Sequence, residues 1–132
     1  MEFNQPKGIY LQIADEVCDR ILTGECCSGE RIPSIRELAV SLGVNPNTVT
    51  RSYQSLLDRQ IIENRRGIGY YVSEAAMKNI LEERRAEFIR SELPNLFKTM
   101  QLLGLNIDAL NEYYTKFNQE VTRDESKDKA KE

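Results

Sequence analysis

Residues 34–49, SIRELAVSLGVNPNTV, place two helix starts and one helix stop close together. Ser34 stands three residues before Glu37. This is a capping box, in which the serine hydroxyl accepts from the Glu37 amide while the glutamate reaches back. Ile35, Leu38, Ala39 and Leu42 give the helix that follows an apolar face, and Gly43 can take the left-handed conformation that ends it. Asn45 and Pro46 then supply an N-cap and a proline at the first helical position, where its missing amide hydrogen costs nothing. This next helix turns Val49, Tyr53, Leu56 and Leu57 inward and Asn47, Thr50, Arg51 and Gln54 outward, ending around Arg59 or Gln60. Two helices joined by so short a glycine turn predict a helix-turn-helix.

The flanks complete the architecture. Ile9, Ile13, Val17 and Ile21 recur every four residues, an amphipathic helix that Gly24 stops. ECCSGERIP holds a Ser-Gly turn and one short strand near Arg31 and Ile32. IIENRRGIGYYV reads as two short strands around Arg66-Gly67-Ile68-Gly69, a basic-tipped wing. From Glu74 the pattern is helical, with Ile89, Leu93, Leu96, Phe97, Met100 and Leu103 on one stripe that keeps its phase across Pro94. One long helix kinked at the proline is expected, with two separate helices as the alternative. Gly104 breaks the run, Asn106 can cap, and Leu110, Tyr113, Tyr114, Phe117 and Val121 make a further stripe. The end, TRDESKDKAKE, is mixed in charge and poor in apolar residues, which predicts disorder or a fraying helix. The fold class is therefore mainly α (α+β): a winged helix-turn-helix DNA-binding domain over 1–73, a helical hairpin for dimerisation or effector response over 74–121, and a disordered tail over 122–132.

Composition narrows the chemistry. At 132 residues, 40% hydrophobic and 30% charged, the chain is one domain, or a small one with an appendage, whose modest core favours oligomerisation. It has no histidine, which removes Ser-His-Asp and Cys-His nucleophiles and histidine zinc sites. Cys18, Cys26 and Cys27 have no CxxC spacing. No nucleophile-base pair, metal cluster or phosphate loop is visible, so neither an enzyme nor a cofactor is expected. Cys26 and Cys27 read first as small packing residues beside a turn, with a redox-sensitive pair as the alternative. MEFNQPKGIY lacks the basic-then-apolar pattern of a signal peptide, and no apolar run approaches the roughly 18 residues of a membrane span. These features predict a cytoplasmic protein without a membrane partner. Net charge is -3, yet residues 31–73 carry Arg31, Arg36, Arg51, Arg59, Arg65 and Arg66 against only Glu37, Asp58 and Glu63. The basic patch coincides with the helix pair and wing.

The second helix of such a motif enters the DNA major groove. Arg51 and Asn47 rank first as base readers, because arginine pairs bidentately with guanine and asparagine with adenine; Thr50 suits a phosphate or a thymine methyl. Arg36 and Thr48 can hold backbone phosphates. Arg65 and Arg66 at the wing can follow a phosphate strand or enter a narrow minor groove. Each has a plainer reading. Arg51 could be a solvated helix residue, Asn47 a capping aid, Arg36 half of an ion pair, and Arg65 and Arg66 the charges that keep an edge strand soluble. The aromatics Phe97, Tyr113, Tyr114 and Phe117 fit core or dimer contacts better than a ligand cage. A winged-helix protein-interaction module and a cysteine redox-responsive regulator are the competing functions.

In their order along the chain, Ile9-Tyr10-Leu11-Gln12-Ile13, Gly29 through Ala39, Leu42-Gly43-Val44, Thr48-Val49 and Gly67 through Val72 resemble the GntR family of bacterial transcription regulators. The Asn45-Pro46-Asn47-Thr48-Val49 wording and the short helical remainder are similar to its YtrA-like subfamily. The resemblance implies a homodimeric winged-helix repressor at a pseudo-palindromic operator, in this branch often beside transporter genes. It carries DNA contacts onto Arg36, Asn47, Thr48, Thr50, Arg66 and Gly67. Many relatives have arginine where Pro46 stands, so their operator sequence does not transfer. Only about 60 residues follow the wing, leaving scant room for an enclosed effector pocket. The two helices can instead pack across a two-fold axis and set the recognition helices about 34 Å apart.

Overall fold

A computed structural model describes residues 8–130 and divides into two compact units, one through Ala86 and one from Glu87 onward. Residues 1–7 and 131–132, the outer ends of the first and last segments drawn from sequence, lie outside the description.

In the first unit, α1 (Ile9–Leu22) buries Ile13, Ala14, Cys18 and Ile21. Ile9, the first member of the every-four stripe, is exposed. A strict four-residue repeat precesses around a 3.6-residue helix, so the stripe walks off the buried face at its N-terminal end. Helix α2 (Ile35–Leu42) buries Leu38 and Ala39 but leaves Leu42 at the rim. Ser34 Oγ accepts from the Glu37 amide at 3.1 Å, as the capping box requires. The Glu37 carboxylate instead lies 3.7 Å from Arg31. Gly43 takes φ 67°, letting Val44 N–H donate to Ala39 O at 3.0 Å and close the turn.

Helix α3 (Pro46–Asp58) starts where the proline predicts. Its Tyr53 ring meets Tyr70 edge-on at 4.9 Å, and its hydroxyl donates to Pro33 O at 2.6 Å. Burial pushes that phenol well above the usual tyrosine range. Beyond the helix, Gln60 adopts φ 58°, a left-handed turn. Ile61 and Ile62 then drop into the core. Strands β1 (Ile62–Arg65) and β2 (Gly69–Val72) pair antiparallel, from Ile62 opposite Val72 to Arg65 opposite Gly69. The expected short strand appears as an isolated bridge, Arg31 opposite Tyr71, flanked by Ile32 N–H donating to Tyr70 O and Val72 N–H to Glu30 O, both at 2.9 Å.

Helix α4 (Ala76–Glu87) buries Ala76 and Ile80 in this same core. Arg59 grips Glu83 at 2.9 Å, and Arg84 reaches Asp19 at 2.7 Å. Most of this helix thus packs with the winged-helix unit, although the sequence boundary at 73/74 had grouped it with the C-terminal segment.

Helical backbone continues through a π-helical turn, Phe88–Glu92, into α5 (Leu93–Leu103). Leu93 N–H donates to Phe88 O, five residues back. The widened turn sits directly before Pro94, which has no amide to donate. Gly104 (φ 71°) ends α5, and Asn106 Oδ1 caps α6 (Ile107–Ala130) by accepting from Ala109 N–H at 2.9 Å. Residues 122–130 are helical here. The segment has no glycine or proline, and pairs such as Glu120 with Arg123 and Asp124 with Lys127 stand at the helix-supporting i,i+3 spacing.

Candidate nucleic-acid interface

The outward side of α3 is built by its cap. Asn45 Oδ1 accepts from the Asn47 amide at 2.8 Å, so Asn45 supplies the cap side chain. The exposed Asn47 carboxamide makes no hydrogen bond among the described residues and keeps both donor and acceptor for a ligand. Thr50, also exposed, donates its hydroxyl to Pro46 O at 3.0 Å. Thr48 is half-buried on the flank.

Arg51 is placed differently from its neighbours. Its guanidinium carbon lies 4.0 Å from the centre of the Tyr10 ring on α1. Next to it, the buried Ser52 hydroxyl donates to Tyr10 O at 2.7 Å. Arg51 therefore leans toward α1 from the edge of the exposed face that Asn47, one helical turn earlier, and Thr50 also occupy.

Arg36 is exposed on α2 without an ion pair among the described residues. At the wing the two arginines part company. Arg65 stacks on Tyr71 at 4.0 Å and pairs with Glu63 at 3.2 Å. Arg66 is exposed at the tip and unpaired among the described residues, next to Gly67 at φ 78°. Gly69, at φ 134°, sits beneath Arg31, whose Nε would be 3.1 Å from any Cβ there. The backbone angle is what favours glycine, since the Arg31 side chain could shift aside by a few tenths of an ångström.

The Tyr10–Arg51 stack and the packing of Arg31 over Gly69 escaped the sequence reading. Tyr10 lay in a quoted motif, but spacing along one helix says nothing about an arginine some forty residues on. Among the apolar residues assigned to dimerisation, Met100 is buried within the chain, and Leu93 and Leu110 are half-buried. Ile89, Leu96, Phe97, Leu103, Tyr113, Tyr114 and Phe117 are exposed.

The family model described as bacterial regulatory proteins, gntR family, matches residues 9–72. The HTH-type transcriptional regulator YhcF of Bacillus subtilis is 38% identical over 111 residues, covering 84% of this chain and 90% of that protein. The chain belongs to the GntR family. The HTH-type transcriptional repressor YtrA of the same organism is 35% identical and is covered, like this chain, over 86% of its length. This similarity bears out the YtrA-like resemblance. A crystal structure of a GntR-family regulator from Bacteroides thetaiotaomicron superposes with a TM-score of 0.75 at 42% identity, over 86% of this chain and 98% of that one. The winged helix-turn-helix and the C-terminal helices of this GntR protein are thus shared along nearly the whole of a relative, and the chain is a DNA-binding transcriptional regulator of that family.

Proposed function

We propose that this regulator is a cytoplasmic, homodimeric repressor that occupies a pseudo-palindromic operator, with a transporter operon as the expected target class. The observation that carries the reading is the exposed face of α3, where the Asn47 carboxamide, without a hydrogen bond among the described residues, and the exposed Thr50 lie one helical turn apart. A carboxamide of this kind matches the acceptor and donor of adenine in the major groove. Arg36 and Thr48 then hold phosphates, and Arg66 with Gly67 makes the wing contact. Arg65, already paired, shapes the wing and adds less. Repression is supported by the likeness to YtrA, and dimerisation by the apolar side chains left exposed on α5 and α6. In this division of labour the DNA-binding part runs through α4, and α5 and α6 form the dimer. No helix among the described residues is long and apolar enough to cross a membrane.

The redox alternative finds little support. Burial pushes the Cys18 thiol up, burial and then Glu25 do so for Cys26, and a hydrogen bond with Glu30 does so for Cys27. A raised thiol is a poor nucleophile at neutral pH.

Titration into labelled DNA from upstream of its own gene, with a shuffled control at two salt concentrations, tests the proposal. Selective, salt-weakened binding is expected. Asn47→Ala should cost about 1–3 kcal/mol and relax specificity at one base pair. Arg66→Ala should weaken both fragments alike and flatten the salt dependence. Identical behaviour of these two variants would sink the assignment, and operator-driven reporter expression that rises with the protein would sink repression.

A further inference from the structure

Arg51 and Arg65 share one geometry and differ in one respect. Each guanidinium lies 4.0 Å above a tyrosine ring, Tyr10 for Arg51 and Tyr71 for Arg65. Arg65 also spends a donor on Glu63. Arg51 has no carboxylate partner among the described residues. The nearby Asp58, in the same shallow groove between α1 and α3, is occupied by Gln54, whose Nε2 donates to its Oδ1 at 2.9 Å. Stacking uses the face of a guanidinium and leaves its edge N–H donors free in the plane. Those of Arg51 are therefore oriented, exposed and unspent.

The tyrosine beneath is fixed as well. Tyr10 is half-buried in the first turn of α1, and its carbonyl is held at 2.7 Å by the fully buried Ser52, the residue that follows Arg51. Adjacent residues of α3 thus hold Tyr10 at two points, Ser52 by its backbone and Arg51 by its ring.

We propose that Tyr10 is a positioning residue and that Arg51 is a pre-oriented phosphate clamp on the DNA backbone, not a base reader. The inference rests on the DNA-binding reading above and specifies what one of its residues does. A side chain drawn onto Tyr10 is held at the α1-facing edge of the face it shares with Asn47, one helical turn earlier, and is aimed toward the neighbouring helix. Phosphates line both walls of the groove that a recognition helix enters, and a planar fork of N–H donors held at that helix's edge suits a phosphate's oxygens. Holding the fork in advance reduces the rotamer freedom lost when DNA binds.

The test uses the full chain and two duplexes, one selected by the protein from a random pool and one shuffled to the same composition, each titrated across a salt series. Arg51→Ala should weaken both by a similar factor, on the order of 10-fold, and lower the log-log salt slope by about 0.9, the value of one released phosphate contact. Tyr10→Leu, which keeps bulk without an aromatic face, should weaken both by roughly 3- to 10-fold although the arginine is intact. Tyr10→Phe should bind as the wild type does. Adding Tyr10→Leu to Arg51→Ala should cost nothing more.

Loss confined to the selected duplex would make Arg51 a base reader and overturn the clamp. An undiminished Tyr10→Leu penalty in the Arg51→Ala background would show that Tyr10 acts through the fold, and would overturn the positioning role. Full binding by Arg51→Ala would overturn both. A wild-type protein that enriches no sequence and retains neither duplex would instead remove the DNA-binding reading itself.

Discussion

In the first unit Val49, Tyr53 and Leu56 are at most 1% exposed, whereas on α6 Tyr113, Tyr114 and Phe117 are 61%, 64% and 60% exposed. Both sets were found by the same helical periodicity. The first stripe is covered by α1, α2, the wing and α4, so its burial belongs to the single chain. The second has no cover among the described residues. Periodicity reports that a helix has an apolar side; it does not report what lies against it. The winged-helix unit should accordingly be stable at any concentration, while the exposed C-terminal stripe should gain its stabilisation only as chains associate.

The sharpest way to break this contrast is to damage the covered stripe. Leu56→Ala should destabilise the winged-helix unit by about 2–5 kcal/mol, because the removed methyl groups leave a cavity that a close-packed core cannot fill. Thermal unfolding would show the loss at every protein concentration; a shift that disappears on concentrating the sample would argue against an intrachain core. Next in size, Phe117→Asp should weaken self-association by about 2–3 kcal/mol, as expected for a charge set into an apolar contact. Sedimentation should then show monomers whose first unfolding transition matches that of the wild type. Unchanged association would remove α6 from the interface.

The smallest effect concerns a bond inside the covered stripe. Tyr53→Phe deletes the hydroxyl that donates to Pro33 O and should cost about 1 kcal/mol. The same hydroxyl gives the first unit a pH signature. Its folded pKa is raised above the ordinary 10.0, so above pH 10 the unfolded chain releases a proton that the folded chain keeps. Stability from this group is complete below that pH and falls as the pH rises toward the folded value. Denaturant midpoints from pH 9 to 11 should drop more steeply for the wild type than for Tyr53→Phe, and parallel curves would refute the linkage.

Much of the DNA-facing half was legible because its signals are local. Ser34, Gly43, Asn45 and Pro46 each act within a few residues, and each cap or turn appears where those residues place it. The wing was legible for the same reason, since Gly67 and Gly69 supply dihedrals that other residues avoid. The candidate site was legible in outline. Arg36, Asn47, Thr50 and Arg66 are all exposed with free groups or surfaces to offer. Arg51 and Arg65 looked equivalent to them in sequence. Their partners, Tyr10 and Tyr71, lie on other elements or across a strand pair, and only packing revealed them.

The sequence by itself determined where helices start and stop, which turn makes the helix-turn-helix, and which faces are apolar. These depend on dihedral preference, capping and periodicity, all short-range properties of the chain. Tertiary structure decided that α4 joins the winged-helix core, through Arg59 with Glu83 and Arg84 with Asp19. It also decided which arginines remain free. Whether a charged side chain is available depends on which carboxylates and aromatic faces the fold brings within a few ångströms, and residues distant in sequence supply them.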